Sequence, residues 1–282
     1  MSTGIVLLVL FAAFLHALWN AIVKGAGDRT IVLGLVATGH VLPGIALVLL
    51  SNAPSLDTLP YIIASTVIHW GYYLLLNIAY RTGDLSIVYP IARGLSPIMI
   101  ALGAWFWVGE SLPLIVWCGI FTVSGGILLL ARGVFQSDLP KTGIVAAVGV
   151  AVAIASYSIV DGVGVRLSGS PLGYIGWLFV AEIVVVVFVF TTRWDRFRAM
   201  SRHAVLTGLF GGVVSSAAYA LVLIAKTEAP LGVVSALRET SVVFAALIGI
   251  FWFSEGPGRS RMIAALIVGA GIAAIAGIRV QP

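Results

Sequence analysis

Charged side chains are scarce in this sequence. Of its 282 residues only 10% are Asp, Glu, Lys or Arg, against about 25% in ordinary soluble domains, whereas 60% are hydrophobic. A soluble fold of this length cannot bury so much apolar surface. The scarcity of charge therefore excludes a water-soluble domain and predicts a chain whose solvent is largely lipid.

Cysteine and the common catalytic motifs are also nearly absent. The single Cys118 lies in an apolar run, so an intrachain disulfide is impossible and no metal cluster can be built from thiolates. The sequence contains no GxxxxGK[ST], HExxH or GxSxG motif. We therefore predict that the protein is not an enzyme, with no catalytic residue, no cofactor and no metal.

Basic residues do not cluster, although the net charge is +5. The sixteen Lys and Arg are scattered singly between apolar runs and form no basic stripe, which argues against nucleic acid as a partner. Positively charged cytoplasmic loops of a membrane protein explain the balance better. The partners we predict are the lipid bilayer and a small-molecule substrate.

Long apolar runs account for almost all of the remaining chain. Each run is close to the roughly 20 residues that cross about 30 Å of hydrocarbon as a helix. The predicted spans are 4–23, 31–50, 59–80, 85–107, 113–131, 142–162, 172–191, 204–225, 231–253 and 261–278. The first lacks a basic n-region and a cleavage site, so it is interpreted as a retained helix. We predict an all-α, multi-pass protein of the cell inner membrane with ten transmembrane helices.

An internal repeat divides these ten spans into two sets of five. Residues 83–110 align without a gap on 228–255. The matched pairs include Arg93 with Arg238, Ser96 with Ser241, Phe106 with Phe251, Trp107 with Trp252, and Glu110 with Glu255. The predicted repeats are 1–140 and 141–282. Because five is odd, the second repeat enters the membrane from the opposite side, which makes the topology inverted.

These features resemble the EamA-type members of the drug/metabolite transporter superfamily. The resemblance covers essentially the whole chain. It rests on 16–20 (HALWN) followed by Lys24, on the two repeated segments, and on Tyr157 with Asp161. It implies ten helices in two inverted five-helix halves and the transport of small metabolites such as amino acids, nucleotide sugars or drugs. Residues 161–166 also look like a bacterial subgroup associated with phosphonate utilisation.

Two arginines occupy equivalent positions of the repeat inside predicted spans. Arg93 lies about nine residues into the fourth span and Arg238 about as far into the ninth, roughly 13 Å at 1.5 Å per residue. Since the repeats are inverted, both should lie near the middle of the bilayer, where an arginine requires a cavity or a partner. Each guanidinium suits a carboxylate, phosphonate or phosphate of the substrate. The alternative is a structural ion pair, for which the available partners are Glu239, Glu182 and Asp161.

Polar and aromatic side chains at comparable depths complete the predicted substrate site. They are His16, Trp19, Asn20, Tyr72, Tyr73, Tyr89, Tyr157 and Tyr219. Packing alone also explains each single ring, because Tyr and Trp collect at membrane interfaces. Pro90 and Pro97 bracket Arg93 and free backbone carbonyls near it, including that of Arg93 itself.

Several embedded ionisable groups are candidates for coupling transport to protons. They are His16, His69, Asp161, Glu182 and Glu239, with His40 as a further embedded histidine. Each is equally compatible with a structural ion pair. Glu110 and Glu255 close the repeats at a membrane boundary, so we expect them to pair with a nearby cation or with the start of the following helix, outside the transport site.

The sequence leaves two alternatives for the orientation in the membrane and two for the function. The even-numbered loops and the termini are assigned only three basic residues, Arg166, Lys226 and Arg279. The charge count therefore places the odd-numbered loops in the cytoplasm. The family resemblance favours cytoplasmic termini instead. The leading function is a secondary transporter of a small anionic or zwitterionic metabolite. The alternative is a membrane-embedded enzyme acting on a lipid-linked substrate, with His16 or His69 as base. Oligomeric state and direction of transport stay open.

Overall fold

The computed structural model describes residues 1–24, 27–82, 85–131, 141–254 and 258–277, and within these ranges all regular structure is helical. The helices are α1 Thr3–Val23, α2 Arg29–Leu50, α3 Leu59–Thr82, α4 Leu85–Gly103, α5 Leu114–Leu128, α6 Lys141–Leu167, α7 Pro171–Val180, α8 Ile183–Thr192, α9 Trp194–Arg198, α10 Arg202–Glu228, α11 Leu231–Arg238, α12 Ser241–Phe253 and α13 Arg259–Ala276. A 3₁₀ turn, Leu56–Thr58, precedes α3, and a π-helical turn, Ala104–Val108, follows α4.

Ten segments of the described chain are long and apolar enough to cross a bilayer, which confirms the predicted all-α membrane fold. Their limits agree with the predicted spans to within a few residues at most ends. The sixth and eighth spans are longer than predicted and reach Leu167 and Glu228. Arg166 and Lys226 therefore belong to helices, and their assignment to loops was wrong.

Short polar side chains set the start of several helices. Ser2 accepts a hydrogen bond from the backbone N–H of Ile5, and Asp28 accepts from those of Thr30 and Ile31. Ser170 and Ser201 do the same for α7 and α10. These side chains satisfy backbone donors that the first helical turn leaves unpaired, so each span begins at a defined residue.

The seventh and ninth spans are each interrupted in the middle. Between α7 and α8 the N–H of Glu182 bonds to the carbonyl of Phe179, and between α11 and α12 the N–H of Thr240 bonds to that of Leu237. These bonds join residues three apart, whereas an α-helix joins residues four apart. Both interruptions occur at a glutamate, Glu182 and Glu239, deep within an apolar span.

The fourth span remains helical across its two prolines. Pro97 cannot bond to the carbonyl of Arg93, and the hydroxyl of Ser96 donates to that carbonyl instead at 3.2 Å. The span ends at Gly109, whose φ of +78° a side chain would disfavour. The carbonyl that the sequence predicted to be free near Arg93 is thus satisfied within α4.

Glycines allow close contact between α2 and α10. A Cβ built on Gly39 would lie 2.6 Å from the Cα of Gly212, and one built on Gly212 would lie 2.6 Å from the carbonyl oxygen of Val36. At Gly208 the equivalent Cβ would lie 2.8 Å from Cδ1 of Leu35. Gly208 and Gly212, which have small-xxx-small spacing, therefore serve packing.

Helices of the first half pack mainly on helices of the second. α1 packs on α10, and in the corresponding way α6 packs on α3. α6 also packs on α4, and α1 also packs on α11 and α12. α2 contacts α7 and α8, and α5 contacts α13. A shared core of side chains from α1, α5, α10, α11 and α13 includes Val9, Ile120, Val222, Val234 and Ile275. Neither half thus completes its own core.

Candidate functional site

Arg93 forms an ion pair with Glu239 in the interior. The Nη2 atom of Arg93 lies 2.8 Å from Oε1 of Glu239, and the two residues are only 6% and 3% exposed. Of the two roles that the sequence left open for Arg93, the structure shows the ion pair. Its partner sits where the ninth span is interrupted, so the break directs a carboxylate toward α4.

The pair is close but not fully hydrogen bonded. Nε of Arg93 and Oε2 of Glu239 have no hydrogen-bond partner among the described residues, and Nη2 of Arg93 contacts Oε1 without the geometry of a hydrogen bond. Buried polar atoms in proteins are nearly always paired. The pair therefore leaves Nε of Arg93 and Oε2 of Glu239 without a protein partner in the interior.

Arg238 has different surroundings from Arg93. It ends α11, and its guanidinium carbon lies 5.6 Å from the centroid of the Tyr219 ring. Among the described residues no carboxylate lies within ion-pair distance of Arg238, although Arg93 and Arg238 both act electrostatically on His16 and Tyr157. Arg238 is thus a cation held by aromatic contacts beside the Arg93–Glu239 pair.

Aromatic rings form one wall beside the arginines. Tyr157 stacks on His69 with ring centroids 4.1 Å apart, and it meets Tyr219 edge-on at 6.3 Å. Tyr72 contacts Tyr157 at 6.0 Å and Tyr73 at 5.4 Å. Five of the predicted residues thus form one connected cluster from α3, α6 and α10. Tyr89 lies on α4 and interacts electrostatically with Arg93.

The predicted residues of α1 are joined to one another. The indole N–H of Trp19 donates to Nδ1 of His16 at 3.2 Å, and the amide of Asn20 donates to the carbonyl of His16 at 2.7 Å. His16 is partly buried and lies near both arginines, whereas Asn20 is exposed. The structure therefore brings His16 and Trp19 to the site, with Asn20 at its edge.

Asp161 is fully buried at the centre of a network of tyrosines. Its carboxylate accepts hydrogen bonds from Tyr219 at 2.5 Å and from Tyr174 at 3.3 Å. Sequence reasoning identified Asp161 and Tyr219 but missed Tyr174, which comes from α7. No spacing rule links Tyr174 to Asp161, because the contact depends on how α7 packs on α6.

Glu182 pairs with His40, outside the aromatic cluster. Nδ1 of His40 lies 2.9 Å from Oε1 of Glu182, while Nε2 of His40 and Oε2 of Glu182 have no partner among the described residues. The His40 ring contacts Phe179 at 5.2 Å, and Phe179 contacts Tyr219 at 6.4 Å. Phe179 thus links the His40–Glu182 pair, at the break of the seventh span, to Tyr219 of the site.

A second polar cluster lies near the carboxyl end of α10 and was not anticipated. Nζ of the buried Lys226 donates to the carbonyl of Ser158 at 2.8 Å. Arg166 donates to the carbonyls of Lys226 and Ala229 and forms an ion pair with Glu110 at 2.8 Å. Sequence reasoning assigned Arg166 and Lys226 to loops because they follow apolar runs, and nothing in the sequence pattern gave a reason to expect their burial.

Glu110 also lies at the start of a helix. Its carboxylate oxygens accept hydrogen bonds from the N–H of Leu231 at 2.8 and 3.0 Å. The expected pairing with a cation and with a helix start is present, but the helix is α11 and not the α5 that follows Glu110 in the chain. Glu255 lies outside the described residues.

The described residues contain no group of three His, Cys, Asp or Glu side chains that converge as metal ligands would. A small cleft of about 90 Å³ opens between α12 and α13, lined by apolar side chains and the stem of Arg261. Its surface is almost entirely apolar.

Ten spans that enclose ionised and aromatic side chains define a polytopic membrane protein with a polar interior. The EamA-like transporter family matches residues 141–277, which form the second half of the chain. The match identifies residues 141–277 as an EamA-like transporter repeat, and ten spans are the number expected of the drug/metabolite transporter superfamily.

A solved crystal structure has the same fold. It superposes with a TM-score of 0.76 over 97% of this chain and 96% of its own length, at 19% sequence identity. At this identity the likeness concerns the fold alone. It extends over both halves, including the first, which the family match does not cover.

Proposed function

We propose that the protein is a secondary transporter, in the inner membrane, of a small anionic or zwitterionic metabolite such as an amino acid, an organic acid or a phosphonate. The proposal rests on one observation: Arg238 lies in the interior with aromatic neighbours and no ion-pair partner among the described residues. An arginine at this depth is expensive unless a partner neutralises it. An acidic group of the substrate is the partner that we assign to it.

The Arg93–Glu239 pair supports the same proposal. Its unpaired N–H groups can donate to an acidic group, and Oε2 of Glu239 can accept from an ammonium group. Tyr157 and Tyr219 adjoin Arg238, while His16 and Trp19 approach from α1. Tyr72, Tyr73 and Tyr89 complete the site on the side of α3 and α4.

Alternating access between two inverted repeats, 1–140 and 141–282, is the mechanism that we propose. The helix pairing supports it, because the first helix of each half packs on the third spanning helix of the other. Such an exchange is expected of a two-fold relation between the repeats. Interruptions in the spans that hold the site are a further property of inverted-repeat transporters.

Proton coupling is assigned to the His40–Glu182 pair. The two side chains lie 2.9 Å apart within the membrane, and a single proton shared between an imidazole and a carboxylate leaves such a pair without net charge. The other candidates have structural partners: Asp161 is held by tyrosines, Glu239 by Arg93, and His69 donates from Nδ1 to the carbonyl of Ser65 at 2.8 Å. His16 accepts from Trp19.

A ligand screen tests the proposed substrate class. Purified protein is heated in the presence of amino acids, organic acids, phosphonates and organic cations, since a compound that binds the native state raises its melting temperature. Binding of the compound so identified is then titrated against Arg238→Lys. Loss of the bidentate fork should weaken binding about tenfold to hundredfold. Normal binding by this variant, or stabilisation by cations alone, would overturn the proposal.

Flux measurements separate a transporter from an enzyme. The same compound is loaded outside proteoliposomes, and the material that accumulates inside is identified by mass. A transporter delivers it unchanged, whereas chemical conversion would support the enzyme alternative. An imposed pH gradient should alter the flux in wild-type protein but not in Glu182→Gln, with His69→Gln as the matched control. An unchanged response in Glu182→Gln would exclude the assigned coupling pair.

A further inference from the structure

Glu110 and Arg166 join three parts of the chain on one side of the membrane. Arg166 at the end of α6 donates from Nε to the carbonyl of Lys226 at 2.7 Å and from Nη2 to that of Ala229 at 2.8 Å. The same Nη2 lies 2.8 Å from Glu110, whose carboxylate binds the first N–H of α11. The end of α6, the α10–α11 connection and the segment before α5 are thus fastened together. We call these contacts the Glu110–Arg166 clamp.

The clamp lies among the even-numbered connections. Ten spans in alternating directions place the connections after spans 2, 4, 6 and 8 on one face. Other contacts on this face join Ser55 to Ser168 through a backbone hydrogen bond of 2.9 Å, and Ser170 to the carbonyl of Asn52 at 2.7 Å. The described connections of this face are therefore held together in the present conformation.

The clamp holds one end of α11, and the other end of α11 carries the site. α11 is only eight residues long, begins at Leu231 in the clamp and ends at Arg238. Beyond it, the interruption at Glu239 and Thr240 separates α11 from α12. Helix interruptions absorb backbone rotation without breaking regular hydrogen bonds, as hinges do. α11 is thus a short rigid segment with a clamp at its outer end and a hinge at its inner end.

We infer that α11 is the gate on the face of the even-numbered connections, and that the Glu110–Arg166 clamp keeps it closed. When the ion pair opens, α11 turns about Glu239 and Thr240 and exposes the site to water on that face. Glu110 and Arg166 act by positioning α11 and do not contact the solute. The inference concerns access and does not depend on the identity of the substrate.

A single-cysteine accessibility assay tests the gate without a substrate. Cys118 is replaced by Ser, and Ser235→Cys serves as the reporter. Ser235 is buried and lies one helical turn before Arg238, on the same side of α11. Ala53→Cys and Ala199→Cys, both exposed, mark the even and odd faces. Membrane vesicles in which a water-soluble maleimide labels Ala53→Cys but not Ala199→Cys present the even face to the reagent.

Glu110→Gln and Arg166→Gln then open the clamp in two independent ways. The Glu110→Gln side chain retains an oxygen for the N–H of Leu231, so the helix start is preserved while the ion pair is lost. We expect Ser235→Cys to be labelled about tenfold to hundredfold faster from the even face in both variants, the factor that a lost charge-assisted hydrogen bond implies. Asp28→Asn, which breaks the Asp28–Arg196 ion pair on the odd face, is the matched control and should leave this rate unchanged.

The outcomes separate a gate from a purely structural bridge. The inference would be overturned if Ser235→Cys were labelled at an unchanged rate in both clamp variants while Ala53→Cys was labelled as in the wild type. Equal acceleration from the odd face would also overturn it, because it would indicate general loosening of the fold. Acceleration from the even face alone in either folded variant supports the gate.

Discussion

Arg93 and Arg238 occupy the same position of the repeat and yet differ in their partners. The difference arises one residue further along, where Glu239 follows Arg238 and Gly94 follows Arg93. A Cβ on Gly94 would lie 2.7 Å from Cγ of Leu128, so α4 has no room for a carboxylate there. One glutamate therefore serves both arginines electrostatically but pairs directly with Arg93, across the interface between α4 and the ninth span.

Removal of the Glu239 charge should destabilise the protein strongly. In Glu239→Gln the buried guanidinium of Arg93 loses its counter-ion, which we expect to lower the free energy of unfolding by about 3 to 5 kcal/mol. Arg93→Met combined with Glu239→Leu should recover most of this loss, because no buried charge remains. Melting temperatures in detergent compare the three proteins. A double variant no more stable than Glu239→Gln would show that the pair is not the cause.

Tyr219 is expected to act through both its ring and its hydroxyl. Tyr219→Phe retains the ring beside Arg238 but removes the shorter hydrogen bond to Asp161, so we expect a loss of about 1 to 3 kcal/mol in stability and little change in substrate affinity. Tyr219→Leu should reduce affinity as well, since the ring contact is then lost. Melting curves and binding titrations of both variants distinguish the two contributions. Equal substrate affinities of the Tyr219→Phe and Tyr219→Leu variants would contradict the assigned role of the ring.

Individual helices follow the apolar pattern closely, but their interruptions do not. Every span was predictable because the bilayer requires a helix wherever about 20 apolar residues run together. The breaks at Glu182 and Glu239 contain neither Gly nor Pro, the usual local signals, and α4 continues across two prolines. Partners from other helices, His40 and Arg93, accompany the breaks, and such partners are visible only after packing.

The interior site was partly predictable for the same reason. Arg93, Arg238, Tyr157 and Tyr219 stand out because polar residues within apolar runs are rare. Arg166, Lys226 and Tyr174 were missed. The two basic residues lie near the ends of spans, where they look like loop residues, and Tyr174 looks like an interfacial aromatic. Their contacts depend on the neighbouring helices, which one sequence does not specify.

Close contact between α2 and α10 makes Gly39 intolerant of even one methyl group. Gly39→Ala would place a carbon 2.6 Å from the backbone of Gly212, and we expect a loss of about 1 to 3 kcal/mol in stability. Gly125→Ala is the matched control, because no other group lies within 4 Å of a Cβ at that position. Thermal denaturation of the two variants measures the difference. Equal melting temperatures would contradict the close packing of α2 on α10.

Glu110 is expected to contribute to stability more than to affinity. Glu110→Gln removes a largely buried ion pair with Arg166, and we expect a loss of about 1 to 3 kcal/mol with near-normal substrate binding by the folded fraction. Expression level, melting temperature and a binding titration provide the test. A stable Glu110→Gln protein that fails to bind would place Glu110 in the transport site.

At the scale of the whole molecule, the two halves should fold only together. α6 packs on α3 and α4, and α1 packs on α10 to α12, so each half alone exposes helix faces that the other covers. We expect residues 1–140 and 141–282, expressed as separate chains, to co-purify through a tag on either one, and each alone to be degraded. Stable accumulation of one half by itself would show that its core is complete without the other.

The two helix interruptions lie in the same half of the molecule. The corresponding spans of the first half, α2 and α4, run without a break through their own prolines, so one half forms a stiff frame and the other contains both compliant joints. Because only one half contains such joints, the motion that opens one side of the membrane is not the mirror image of the motion that opens the other. For the alternating access proposed above, we therefore expect unequal inward and outward barriers, and different rates of solute movement under equal gradients of opposite sign.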